Sequence, residues 1–200
     1  MKILSIDFNY IMYPCIKLYS RYCNEEENPT VNWNNIQNEL EIDNFLCYDG
    51  EILKQLAALI RRNQRNGVPL YPITHHKEAV DGIKKLTDES IELTNIDWHH
   101  DIAAAPNDVD KLQNFGEYGD MDWVGYLQTQ GKLSKYTWIR ARNSEPCHPD
   151  ISDKLNLSYE EGTARNIPEL PDDYDAIFFC LSPNQVPHKY KHLYELIGGI

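Results

Sequence analysis

The chain reads as an α/β protein, a three-layer α-β-α arrangement around one mostly parallel sheet, and three observations lead there. Segments with strand character alternate with segments of helical periodicity from one end to the other, as a parallel sheet covered by helices on both faces requires. The strand segments are short and almost continuously apolar, the pattern of strands buried on both sides. Acids and histidines gather just after those runs, and open α/β sheets hold their ligands beyond the carboxyl ends of the strands. A chain of 200 residues needs only one domain, and a domain of that size buries roughly two-thirds of its unfolded surface.

Lys2 to Phe8 (Lys-Ile-Leu-Ser-Ile-Asp-Phe) is the first strand, a buried run with an acid near its end. Asp7 is a candidate ligand with Asn9 on its side of the chain, although Asp7 equally suits a helix cap or turn. Pro14 stops the run, and Asn24 to Asn44, with Glu25-Glu26-Glu27 before Pro29, is a polar surface excursion with room for one short helix. Asp49 caps a helix whose residues Ile52, Leu53, Leu56, Leu59 and Ile60 share one face, and Gly67 ends it. Val68 to Thr74 is a strand despite Pro69 and Pro72, and it runs into a helix that starts at His75-His76 and reaches about Leu86. Ser90 to Asp97 is the next strand.

Ala103 to Asn107 opens a long loop whose small residues admit a substrate. Asn114 to Trp123, rich in glycine, aromatics and acids, forms a pocket wall before a helix that ends near Gly131. Asp120 and Asp122 also suit the N-cap of that helix. Lys135 to Arg140 alternates as a strand, Glu145 to Asp173 is polar with little periodicity, and Tyr174 to Leu181 is a buried strand. Ser182 to Pro187 then leads into a last helix through Ile197.

Composition narrows the function classes. Charged residues at 25% and hydrophobic ones at 42%, with 13 Tyr and 4 Trp, describe a packed globular chain and not a disordered one. A formal net charge of -12 disfavours nucleic-acid phosphates and anionic membranes and favours a cationic substrate or partner. The odd count of 5 cysteines without a CxxC pair, and a start without a signal or membrane-spanning segment, predict a cytoplasmic protein with reduced thiols. An oligomer stays open.

The chemistry concentrates in Asn95-Ile96-Asp97-Trp98-His99-His100-Asp101. Alternate residues of an extended chain point to one side, so Asp97, His99 and Asp101 are expected to converge past a strand end. Carboxylate oxygen with imidazole nitrogen suits Mn²⁺, Fe²⁺ or Zn²⁺, and the absence of a neighbouring thiolate argues against structural zinc. Polar residues on a solvated turn are the plainer alternative. His75 and His76, likewise beyond a strand end, are further ligand candidates, although a histidine pair there also occurs merely exposed.

Asp7 and Asn9, His76, and then Asp97, His99 and Asp101 have the composition of a binuclear metal centre. This set resembles the ureohydrolase or arginase superfamily, which has a His after one strand, then Asp-x-His-x-Asp, and a Ser-x-Asp-x-Asp strand end. Ser5-Ile6-Asp7-Phe8-Asn9 matches the last element except at residue 9. That element opens this chain instead of following the other two, so the chain looks circularly permuted. The opening residues 5–12, His75-His76-Lys77-Glu78, Cys180-Leu181-Ser182-Pro183 and Val186-Pro187 are similar to the small arginase-like family that includes peptide arginases.

The resemblance implies an arginase-like fold and two Mn²⁺ per chain. His76, Asp97, Asp101 and Asp7 would hold one ion, and His99, Asp97, Asp7 and Asn9 the other, with Asp97 and Asp7 bridging. It implies conversion of arginine side chains in a ribosomally synthesised precursor peptide to ornithine with release of urea, by a metal-activated water. Catalytic roles would fall to Asp101, in orientation and proton transfer, and to His99 and Glu117. Glu117 would pair with the guanidinium, with Asp120, Asp122 and His75 as further substrate-binding residues. Asn9 removes a charge from the second site, and no later proton-shuttle histidine precedes His148. A zinc deacetylase-type amidohydrolase and an inactive peptide-binding module are the alternatives.

Overall fold

The computed structural model describes residues 1–12, 33, 48–142 and 144–199. The excursion expected over Asn24 to Asn44 lies outside the described residues, apart from Trp33. Six strands, β1 (Lys2–Asp7), β2 (Leu70–Ile73), β3 (Ile91–Asp97), β4 (Leu133–Arg140), β5 (Glu160–Thr163) and β6 (Ala176–Cys180), form one sheet in the order β2-β6-β1-β3-β4-β5. Every neighbouring pair is parallel. Helices α1 (Gly50–Arg65), α2 (Glu78–Leu86), α3 (Pro106–Phe115), α4 (Trp123–Thr129), α5 (Pro149–Leu155) and α6 (Lys191–Gly198) cover the two faces, which makes three α-β-α layers.

Successive strand residues point to opposite faces, and here both faces are apolar. Leu4 and Ile6 of β1, Ile177 and Phe179 of β6 and Ile139 of β4 pack with Leu56, Leu59 and Ile60 of α1 and Tyr194 and Ile197 of α6. Ile3, Ala176, Phe178, Tyr136 and Trp138 pack on the other side with residues of α2, α3, α4 and α5. No helix among the described residues is long and apolar enough to cross a membrane.

The order of the strands sets the place of the site. From β1 the chain moves out one way to β2, crosses back to β3, and continues the other way to β4 and β5. The direction reverses between β1 and β3, and a crevice opens at such a reversal because the flanking connections leave on opposite faces. β1 and β3 are hydrogen-bonded neighbours, so the end of the opening strand lies beside the end of the Asp97 strand.

Several elements differ from the sequence expectation. β2 tolerates Pro72 because, among the described residues, it is an edge strand paired with β6 alone. α2 starts at Glu78 instead of His75; the Glu78 carboxylate accepts the His75 N–H at 3.0 Å and holds the preceding residues as a turn. The loop expected from Ala103 is short and not long: α3 starts at Pro106, in its first turn, and Gly116 at φ 66° closes it. The aperiodic stretch 145–173 contains α5, β5 and a 3₁₀ helix at Ala164–Glu169. A second short 3₁₀ turn, His188–Tyr190, precedes α6.

Candidate metal centre

β1 and β3 end in the same way. The Oδ1 of Asp7 accepts the Asn9 N–H at 2.9 Å, and the Oδ1 of Asp97 accepts the His99 N–H at 3.2 Å. Each aspartate turns its own chain out of the sheet through an Asx turn and leaves its second oxygen outside that turn.

After Asp97 the chain does not stay extended. Asp101 sits at φ 52°, a left-handed conformation uncommon outside glycine but open to aspartate. The start of α4 holds it there: the Val124 and Gly125 N–H groups donate to the Asp101 carbonyl at 3.0 and 3.4 Å. A Cβ on Gly125 would lie 1.9 Å from the Ile102 carbonyl oxygen, so only glycine permits this approach. The Trp123 Nε1–H donates to Asp101 Oδ2 at 2.7 Å. Asp101 thus returns to Asp97 by a constrained loop, and not by the strand alternation expected for residues 97, 99 and 101.

His76 lies in the turn between β2 and α2 and is buried at the centre of the group. Its Nδ1 is 2.9 Å from Asp101 Oδ2, 3.1 Å from Asp97 Oδ2 and 3.6 Å from Asp7 Oδ2, while Nε2 is 3.4 Å from the Ser5 hydroxyl. One ring nitrogen has at most one proton to give, yet three buried carboxylates surround it. Among the described residues Asp97 Oδ2 has no hydrogen-bond partner, and neither does the buried Oδ1 of Asn9, whose Nδ2 donates to Gln185 Oε1.

The electrostatics record the same crowding. Burial, and then the Asp97 charge, push the Asp7 carboxyl up to about 7. Burial and the Asp101 charge raise Asp97 to about 6. Burial opposes charging of His76, but Cys180, Asp7 and the adjacent Asp101 and Asp97 carboxylates outweigh it and hold the imidazole well above its ordinary value. Oxygen and nitrogen donors, excess negative charge and orphaned oxygens are what a divalent cation satisfies, so the residues fit a metal ion. Two triads, His76 with Asp97 and Asp101, and Asp7 with His76 and Cys180, each offer ligand atoms within 4.8 Å of one another.

Of the expected ligands, Asp7, His76, Asp97 and Asp101 come together, and the oxygen of Asn9 is left unpaired nearby. His99 is in neither triad; its half-buried ring lines an adjoining cavity, and burial lowers its basicity. This cavity, about 650 Å³, is also lined by His100, Asp101, Met121, Glu145, Cys147 and His148.

The acids expected on the pocket wall are elsewhere. Glu117 is exposed and does not line the cavity. Asp120 accepts the Lys77 N–H at 3.1 Å and lies 3.2 Å from His75 Nδ1, so both His75 and Asp120 clasp α2 to the loop before α4. Asp122 accepts the Gly119 N–H at the start of α4. Their place is taken by Met121 and by Glu145, which lies near enough to His99 to favour its charged form.

Sequence reading missed Cys180, Ser182, Trp123 and Glu145. The Ser182 hydroxyl donates to Asp7 Oδ2 at 2.6 Å. Cys180 was legible in principle: it ends an apolar strand as Asp7 does, and parallel strands bring such ends level. The argument against a nearby thiolate holds along the chain and fails in space.

No family model matches this chain, and no curated protein and no solved structure matches it either.

Proposed function

We propose that this protein is a metal-dependent hydrolase that acts on the guanidinium of an arginine side chain within a peptide, leaving ornithine and releasing urea. The observation that carries the reading is the convergence of Asp7, Asp97 and Asp101 on His76, buried where the sheet reverses direction. Asp7, His76, Asp97 and Asp101 would hold divalent metal, with Asn9 contributing its free amide oxygen. Two Mn²⁺ per chain, the expectation from the resemblance to peptide arginases, would acidify a water enough to make it a nucleophile near neutral pH.

The chain's own residues do the rest. Asp101, pinned through Oδ2 by Trp123 and His76, accepts the proton that the water gives up and returns it to the leaving Nε as the carbon–Nε bond breaks. The water oxygen ends on urea and both water protons end on the ornithine amine, which leaves as its ammonium, so the step balances. Glu145 replaces Glu117 as the carboxylate that pairs with the guanidinium, because it lines the cavity that Asp101 and His99 also line. His99 and His100, whose basicity burial reduces, keep the wall neutral and so do not repel a cation. The net charge of -12 favours a basic peptide as the partner.

Asn9 favours a second reading, a peptide-binding module without turnover, because it withholds a charge from the centre. Metal content and urea release, measured for this chain and for Asn9→Asp after dialysis against Mn²⁺, separate the two. Bound metal and urea from an arginine peptide support the hydrolase; metal-free protein in both forms overturns it.

A further inference from the structure

We propose that Cys180 is a ligand of this centre on the Asp7 side, so that the site combines oxygen, nitrogen and sulfur donors and prefers a borderline ion such as Zn²⁺, Co²⁺ or Fe²⁺ to Mn²⁺. The inference rests on the metal-dependent reading above and changes the ion it uses.

The strand register supplies the placement. Asp7 and Cys180 are partners across the parallel β1–β6 pair, each the last residue of its strand. Side chains of paired residues leave a parallel sheet on the same side, so the thiol and the carboxylate arrive together. The Cys180 sulfur, an Asp7 oxygen and a His76 ring nitrogen all lie within 4.8 Å of one another, and all three residues are buried.

A buried cysteine is ordinarily a small core hydrophobe. The surroundings of Cys180 do not suit that role. Its sulfur is 3.3 Å from the Ser182 hydroxyl and 3.5 Å from the Thr74 carbonyl oxygen, beside a carboxylate and an imidazole. Ser182 sits at φ 47° two residues past the end of the strand and bridges sulfur and carboxylate, since it also donates to Asp7 Oδ2. Independently of the thiol, the buried Asp97 Oδ2 has no hydrogen-bond partner among the described residues and lies 3.1 Å from His76 Nδ1, an oxygen directed into the same group.

The charge balance agrees. Asn9 is neutral, and a thiolate at Cys180 restores one negative charge to the Asp7 side. On coordination the thiol proton is released to solvent, and no oxidant or reductant is needed. Thiolate is a soft donor that favours zinc and its neighbours over manganese, whereas Asp97 and Asp101 offer only oxygen.

The test is Co²⁺ loading of the full chain, read by absorption. The expected result is cobalt d–d bands together with a sulfur-to-cobalt charge-transfer band in the near ultraviolet. In Cys180→Ser the d–d bands should persist while the charge-transfer band is lost, and Cys147→Ser should keep both. Preference for Zn²⁺ over Mn²⁺ should fall on the order of tenfold in Cys180→Ser. Cobalt bound without the charge-transfer band, or a band that survives in Cys180→Ser, overturns the ligand role and leaves the hydrolase reading standing. Failure of the native chain to bind cobalt overturns both. If Cys180→Ser does not fold, X-ray absorption of the zinc-loaded native chain decides, because a ligating thiolate gives a sulfur shell at about 2.3 Å and its absence overturns the proposal.

Discussion

The two sides of the strand-end crevice are built to opposite rules. On the inner side Asp7, His76, Asp97 and Asp101 are sealed from solvent, carry more negative charge than their hydrogen bonds satisfy, and leave an oxygen orphaned. On the outer side His99, His100, Glu145 and His148 line an open cavity, and burial makes the first two poor bases. On the proposed function the inner group would hold a cation and the outer group would form a wall past which a cationic side chain could move. The contrast teaches where charge is placed: close-packed and costly in the buried group, dilute along the cavity.

The largest effect that would break this contrast is loss of an inner carboxylate. Asp97→Ala should reduce metal affinity by more than the about 10–100-fold that outer partners of metal ligands cost, and abolish urea release; isothermal titration with Mn²⁺ and Zn²⁺ measures the first.

The pH dependence of stability comes next. Because the native state raises Asp7 to about 7 and Asp97 to about 6, it favours their protonated forms. Their contribution to stability is complete below the ordinary carboxylate range and is lost as pH rises through 6 and 7. Metal-stripped protein should therefore lose melting temperature between about pH 4 and about pH 7, and saturating metal should remove or invert that slope, since metal requires the deprotonated ligands. A flat melting profile in the stripped protein would show that the inner charges are not strained.

Trp123→Phe keeps the ring and removes the N–H that holds Asp101, so metal affinity should fall by about 10–100-fold with little change in fold, as titration and circular dichroism would record. Glu145→Gln should raise KM for an arginine peptide about tenfold or more, the worth of a charge-assisted hydrogen bond, while metal affinity stays put. A change in metal affinity instead would move Glu145 to the inner side. The smallest effect is expected for Glu117→Gln: an exposed residue away from the cavity should change stability by no more than about 0.5 kcal/mol and leave KM unaltered.

Much of this arrangement was legible along the chain wherever a signal is local. Strands such as Lys2–Asp7 and Ala176–Cys180 announce themselves as apolar runs, and α1 by its apolar face and its Asp49 cap, whose Oδ1 accepts the Glu51 and Ile52 N–H groups at 3.0 Å. The elements that escaped have weak local signals. α3 buries only Val109 and Leu112, too few for a clear period, and β5 is the exposed run Glu-Glu-Gly-Thr that becomes a strand by pairing with β4. In the site, the clustering of Asp7, His76, Asp97 and Asp101 was legible because each follows a strand or its turn. That Glu117, Asp120 and Asp122 lie off the cavity was not, because composition marks a loop as acidic without saying which way it faces.

The sequence by itself determined the layering, the strand ends and the residues able to ligate at them, because hydrophobic periodicity and strand termination act between near neighbours. Only the tertiary structure decided that β6 inserts between β1 and β2, that Asp101 returns in a left-handed turn held by α4, and that Glu145, not Glu117, faces the cavity. Those outcomes depend on contacts between residues far apart in the chain, and no local periodicity encodes which distant side chain will be level with Asp7.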